Sequence, residues 1–202
     1  MNELEKLEKR WGELVGKPRT SEEVEESMAI SKRIGELRSK EYQELTDELL
    51  GVGIKIKSIY DLVNTKEKYP KAIPFLLKHL QKKYSDITKE GIIRALSVKE
   101  AKGVAAPLLI KEYLNTPKEK EDFRWAIGNA VWTTITKNEV ESILPIVLDK
   151  SNGWSREGFI FALSIVKDDT IKNVLIQAMD DNDKVIREAV KKVLKKIYFM
   201  NL

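Results

Sequence analysis

Apolar residues recur at intervals of three and four along most of the chain, which is the spacing of one face of an α-helix. The first such stripe consists of Leu4, Leu7, Trp11 and Leu14. Gly16 and Pro18 end this helix, and Thr20 offers an N-cap to a longer, more polar helix that extends towards Leu50. Strict alternation, the pattern of a β-strand, occurs only briefly at 52–57. The pattern predicts an all-α protein.

From about residue 54 the helical pattern becomes periodic. A basic residue is followed by a small residue two positions later, a large apolar residue three later and an aliphatic residue seven later. This register starts at Lys89, Arg124, Arg156 and Arg187. An apolar segment precedes each copy, so each period contains two helices, A and then B, joined by a polar turn. Because one pair cannot bury its apolar stripe alone, stacking of about four pairs is predicted.

The position two residues after each basic residue is occupied by a small side chain. These small residues are Gly91, Ala126, Gly158 and Ala189. We expect them to allow the A and B helices to approach each other closely.

The run Asp183–Ala189, together with the same register in the three copies before it, resembles the HEAT-repeat (armadillo-like) family. The resemblance spans about residues 55–198 and implies a right-handed α-α superhelix, a HEAT-like solenoid. A looser similarity over 58–64 and 69–74 is to small bacterial HEAT-like proteins with no established role. In the HEAT family the basic residue commonly bonds an acidic or amide residue of the turn. Asn152 and Asp183, four residues before Arg156 and Arg187, suit that role; a phosphate-facing role for the basic residues is the alternative.

Charge divides the chain into two segments. Residues 1–50 carry nine Lys or Arg and thirteen Asp or Glu, whereas 51–202 carry 27 and 19. We therefore expect an acidic helical extension over 1–50 and a basic HEAT-like repeat array over 51–202. The extension is expected to cap the first repeat, and a regulatory or dimerisation arm is the alternative.

Composition excludes several kinds of site. The chain has no cysteine and one histidine, His79, so disulfides, zinc ribbons, thiol nucleophiles and histidine pairs are excluded. We expect His79 on the solvated side of an A helix. The acidic run 180–183 lacks the glycine and glutamate of a calcium loop, so a turn with an N-cap is expected there. We predict no catalytic residue, no cofactor and no metal. No export signal or membrane span is visible, which favours the cytoplasm.

The B helices of the middle repeats carry aromatic residues at positions that the register does not require, whereas the last B helix carries charges there. Packing against neighbouring helices, with the charged helix as a cap, is one explanation. The other is a partner-binding patch on the concave face, because Trp and Arg dominate interface energetics. This patch would comprise Arg94, Arg124, Trp125, Asn129, Trp132 and Phe161. Trp154, in a turn, is a second exposed aromatic candidate.

The sequence thus predicts a non-enzymatic scaffold that captures a protein partner of unspecified identity. Nucleic-acid binding is the alternative, because the basic array and its tryptophans are similar to features of HEAT-like alkylpurine DNA glycosylases. The catalytic Asp and Arg of that family have no matching positions in this chain.

Overall fold

The computed structural model of the chain describes residues 3–198, with the side chain of Tyr198 excepted. Within this range the regular structure is helical throughout and contains no β-strand, which confirms the all-α prediction. The α-helices are α1 (Glu3–Leu14), α2 (Ser21–Glu41), α3 (Gln43–Gly51), α4 (Tyr60–Asn64), α5 (Ile73–Leu80), α6 (Asp86–Leu96), α7 (Ala106–Asn115), α8 (Glu121–Thr134), α9 (Val140–Leu148), α10 (Glu157–Ala162), α11 (Asp169–Gln177) and α12 (Lys184–Tyr198). None of these described helices is both long and apolar enough to cross a membrane.

The chain divides into two compact units, Met1–Ser58 and Ile59–Leu202. In the first unit α1 packs on α2 through buried Leu14, Ile30 and Ile34, with Leu4 and Leu7 at the edge. Three ion pairs also join the two helices, namely Arg10–Glu26, Arg33–Glu3 and Arg38–Glu8.

The N-cap expected at Thr20 is confirmed. Its hydroxyl accepts the Glu23 backbone N–H at 3.2 Å, and the Glu23 carboxylate accepts the Thr20 N–H at 3.0 Å. This capping box satisfies two backbone donors that the first turn of α2 would otherwise leave unpaired.

The expectation of one helix reaching Leu50 is wrong. The helical backbone is interrupted at Tyr42, which has φ −111° and ψ 23°. Tyr42 is buried, as are Leu45 and Leu49 in the next helix, α3. Tertiary burial of these three side chains accompanies the break, and the local sequence carries no glycine or proline that would reveal it.

In the second unit, helices pack as consecutive pairs: α5 with α6, α7 with α8, α9 with α10, and α11 with α12. The second members of these pairs, α6, α8, α10 and α12, are called the B helices below. They contact one another in chain order, α6 with α8, α8 with α10, and α10 with α12. This row of B helices carries the aromatic positions that the sequence singles out.

The B helices α8 and α10 approach each other at backbone level. A Cβ added to Gly158 would lie 2.3 Å from the carbonyl carbon of Gly128 and 2.4 Å from its oxygen. Similarly, a Cβ added to Gly91 would lie 2.5 Å from the side chain of Ile59. The small residues at Gly91 and Gly158 therefore do not serve the approach of A to B helices that the sequence predicts. Gly158 serves the contact between two B helices, because α10 lies against the backbone of α8.

The expectation that His79 is a solvated surface residue is also wrong. Its side chain is completely buried near the end of α5. The chain after α5 turns back and stacks the ring of Tyr84 on the imidazole, with ring centroids 5.9 Å apart. His79 Nδ1 and the Tyr84 hydroxyl oxygen are 2.5 Å apart, which places them in hydrogen-bond contact.

We predict that Gly158→Ala destabilises the protein by about 3 kcal/mol, because the added methyl group meets backbone atoms that cannot rotate away. The matched control is Gly12→Ala in α1, where an added Cβ meets nothing within 4 Å. That control should be neutral or stabilise by about 0.5 to 1 kcal/mol. Urea unfolding of both variants gives the comparison, and equal effects would show that the α8–α10 approach is not tight.

Candidate partner-binding surface

Trp132 and Phe161 form an aromatic pair that bridges two B helices. Trp132 lies near the end of α8 with 45% of its surface exposed, and half-buried Phe161 lies on α10. Their ring centroids are 4.8 Å apart with an interplanar angle of 33°. The pair therefore presents a partly exposed indole that is held in place by a second ring.

Trp125 does not join that pair. It lies seven residues before Trp132 on α8, which is about 10 Å along the helix axis. Its ring instead contacts Trp154, with centroids 5.9 Å apart and planes at 45°. The sequence pattern groups Trp125, Trp132 and Phe161 in one patch, whereas the structure separates them into two aromatic pairs on the same row of helices.

Asn129 and Arg94 lie on the same row of B helices. Asn129 is half-buried on α8, and its carbonyl oxygen accepts the Thr133 hydroxyl at 3.2 Å. The Thr133 hydroxyl in turn accepts the hydroxyl of Ser97 at 3.1 Å, which links the end of α6 to α8. Arg94 is exposed on α6, where its guanidinium lies 2.7 Å from the carboxylate of Glu90. Arg94 is therefore held along its own helix.

Arg124, the remaining residue of the expected patch, lies in the interior with only 3% of its surface exposed. Its Nη2 donates to Asn152 Oδ1 at 2.6 Å. Its guanidinium carbon lies 4.1 Å from the centre of the buried Tyr113 ring, which is a cation–π contact. Burial raises the pKa of the Tyr113 hydroxyl, which also contacts Ser155 Oγ at 2.9 Å. Arg124 thus connects helix pairs and does not contribute to the exposed surface.

Arg156 has the equivalent role in the next helix pair. Its Nη2 donates to Asp181 Oδ2 at 2.7 Å, and both side chains are almost completely buried. Its other donors bond the carbonyl oxygens of Val147 and Gly153. The sequence pattern pairs Arg156 with Asn152 of its own turn. The structure shows that each buried arginine reaches the turn of the following pair, and that within its own turn Arg156 bonds Gly153 and not Asn152.

Neighbour packing explains some of the positions that the register does not require. Ile93 on α6 and Ile160 on α10 are completely buried, and Gly128 lies in the α8–α10 contact. Trp132 differs from these residues because nearly half of it remains exposed. Neighbour packing therefore accounts for Ile93, Gly128 and Ile160, and the partner-binding explanation stays a prediction for Trp132.

Two functional candidates, Glu121 and Glu157, emerge only from the structure. Glu157 Oε2 accepts the indole N–H of Trp125 at 2.9 Å, and Glu121 Oε2 accepts that of Trp154 at 2.9 Å. Both glutamates occupy the first turn of a B helix, where acidic residues are common for reasons of helix stability alone. Each glutamate bonds a tryptophan that lies about 32 residues away in the chain. A single sequence gives no indication that two residues so far apart are in contact.

No protein-family model, curated protein or solved structure gives a significant match to this chain.

We predict that Asp181→Ala destabilises the protein by about 3 to 5 kcal/mol, because it leaves the Arg156 guanidinium buried without a counter-charge. Asp180→Ala is the matched control, since Asp180 lies one residue earlier and is exposed. Its effect should lie within about 0.5 kcal/mol of zero. Thermal or urea unfolding measures both, and a small loss for Asp181→Ala would contradict the structural role of the pair.

We also predict a pH-dependent contribution from Asp149, which caps the 3-10 segment Lys150–Arg156 that carries Trp154. Hydrogen bonds from Ser151 and Lys118 lower the pKa of Asp149 from 3.8 to about 2. Because the folded-state pKa is depressed, this contribution is present above pH 3.8 and is lost as the pH falls towards about 2.

The test compares wild type with Asp149→Asn, which keeps an acceptor but removes the charge. The side chain is about half exposed, so the expected difference above the ordinary pKa is only about 0.5 to 1 kcal/mol. Urea unfolding at several pH values should show this difference shrinking across the acidic window. A difference that is constant with pH would rule out a charge effect.

Proposed function

We propose that residues 59–198 form a HEAT-like solenoid that acts as a non-enzymatic binding module for a protein partner. In this proposal the row of B helices lines the concave face, and the Trp132–Phe161 pair is the central contact. The order of contacts along α6, α8, α10 and α12 supports this arrangement, since stacked repeats touch only their neighbours.

The observation that carries the proposal is the exposure of Trp132 on top of Phe161. A tryptophan side chain buries up to about 250 Å² when it is covered, so leaving nearly half of one in water is costly. The ring is held by Phe161 and by the tight approach of α8 to α10. A rigid, partly exposed indole is a common anchor in protein interfaces, where a few such residues supply most of the binding free energy.

A protein partner is favoured over nucleic acid by the position of the arginines. Arg124 and Arg156 are buried and bonded to turn residues, so neither reaches the phosphate of a bound strand. Glu90 and Glu157 lie on B helices as well and would repel a phosphate backbone. The two arginines of the basic register that could have faced a phosphate are therefore not accessible to one.

The test compares proteins captured from a native lysate by wild type and by Trp132→Ala. Leu148→Ala is the matched control, because Leu148 on α9 has the same exposed fraction, 45%. We expect Trp132→Ala to reduce recovery of a specific protein about tenfold or more, since truncating an anchor tryptophan costs on the order of 2 kcal/mol. Leu148→Ala should retain it.

All three proteins must show the same melting temperature for this comparison to hold. Identical capture by wild type and Trp132→Ala would refute the proposed surface. Loss of capture after nuclease treatment, with steep weakening at higher salt, would identify a nucleic-acid ligand instead.

A further inference from the structure

A second aromatic site lies on the same helices as the Trp132–Phe161 pair. It consists of Trp125 on α8, Trp154 in the segment before α10, and the carboxylates of Glu121 and Glu157. We call these four residues the Trp125–Trp154 site. Both tryptophans and Glu157 are partly buried, and Glu121 is exposed, so the site lies at the surface of the protein.

The hydrogen bonds of the site cross between the two elements. The Trp125 indole on α8 donates to Glu157 on α10, and the Trp154 indole beside α10 donates to Glu121 on α8. Each carboxylate therefore holds one ring by its N–H edge. Cations bind to the faces of aromatic rings, where the π electrons concentrate negative potential. The hydrogen bonds to the two carboxylates involve only the N–H edges of the indoles and not these faces.

Gly153 is needed for this arrangement. Its φ is +59°, in the left-handed region that favours glycine, and a Cβ would lie 2.6 Å from Glu121 Oε1. The backbone conformation of the turn that presents Trp154 therefore favours glycine at residue 153, and a side chain there would also require the Glu121 carboxylate to move.

The negative charge of the site is not neutralised by residues 3–198. Glu121 and Glu157 each use one oxygen for an indole, and within that range neither forms an ion pair. The lysines nearest in sequence to Glu121 are bonded elsewhere. Lys120 pairs with Asp86 at 2.6 Å, and Lys118 pairs with Asp149 at 3.0 Å. Within the described chain, two carboxylates beside two indoles are thus left without a cation.

We propose that the Trp125–Trp154 site binds a lysine or arginine side chain of the protein partner. The ring faces supply the cation–π attraction, and Glu121 and Glu157 supply the opposite charge. This inference rests on the proposed function, because it specifies the chemistry of the partner next to the Trp132 anchor. It predicts a partner segment with an apolar residue and a cationic residue about 10 Å apart, the spacing of Trp125 and Trp132 along α8.

The test uses the full-length protein labelled with ¹⁵N and observes the indole N–H signals of its four tryptophans, assigned with single Trp→Phe variants. The probes are N-acetyl-lysine methylamide and N-acetyl-arginine methylamide, and N-acetyl-norleucine methylamide is the neutral control. We expect saturable shifts of the Trp125 and Trp154 signals with the cationic probes, at dissociation constants on the order of millimolar. The Trp11 and Trp132 signals should stay in place.

Substitutions then assign the charge contribution. Glu121→Gln and Glu157→Gln keep an oxygen acceptor for the indole and remove the charge, so each should weaken binding roughly two- to fivefold. Glu119→Gln is the matched control, since Glu119 is exposed just before α8 and should leave affinity unchanged. Equal shifts from norleucine, no shifts up to about 50 mM probe, or equal weakening by Glu119→Gln would each overturn the inference.

The two proposals fail in different ways. Absent probe binding, combined with loss of partner capture in Trp132→Ala, would overturn the cation site and leave the proposed function standing. Saturable probe binding together with unchanged capture by Trp132→Ala would overturn the proposed anchor and retain the cation site as a separate surface.

Discussion

The approach of α8 to α10 at Gly128 and Gly158 is the constraint on which the candidate surface depends. The space that a Cβ of Gly158 would need is occupied by the backbone of Gly128. Because the two helices touch at backbone level, side chains on either side of the crossing come into reach. On the C-terminal side of the two glycines, Trp132 contacts Phe161. On their N-terminal side, the indole of Trp125 donates to the carboxylate of Glu157. A wider separation would leave each of these four side chains without its partner, since aromatic contacts and hydrogen bonds both fail within an ångström or two.

Charged side chains have different roles in the interior of the second unit and on its surface. Arg124 and Arg156 are buried and each bonds the turn of the next helix pair, so they tie successive pairs together. An unpaired cation in the interior is strongly destabilising. Arg156 has Asp181 as its counter-charge, whereas Arg124 bonds the neutral amide of Asn152 and packs on the Tyr113 ring, and its Nε has no hydrogen-bond partner among the described residues. Because Asp181 is buried together with Arg156, only the charge of Arg124 is removed from the formal positive excess at the surface. At the Trp125–Trp154 site the exposed charge is negative, which is opposite to what the net charge of the segment suggests.

The two aromatic pairs at the contact of α8 with α10 and its preceding segment have different chemistry. Trp132 and Phe161 form an apolar contact, whereas Trp125 and Trp154 are each fastened to a carboxylate. A partner that satisfies both proposals would bring an apolar anchor and a cation in a fixed spacing. Specificity would follow from this combination, because a ligand that matches only one pair leaves the other exposed or its charge unpaired.

The amino-acid sequence by itself determined the helices, the periodic core and the local cap at Thr20, because these depend on residues within a few positions of one another. It also placed Trp132 and Phe161 on successive B helices. Tertiary structure alone decided that Tyr42 interrupts a helix, that His79 is buried, and that Arg124 bonds a residue 28 positions later. The division of the aromatic residues into two pairs, and the roles of Glu121 and Glu157, were likewise decided by tertiary structure. These outcomes depend on tertiary contacts, which periodicity within one helix does not contain. For the contacts of Trp125 with Glu157 and of Trp132 with Phe161, the approach of Gly158 to Gly128 sets the distance between the helices.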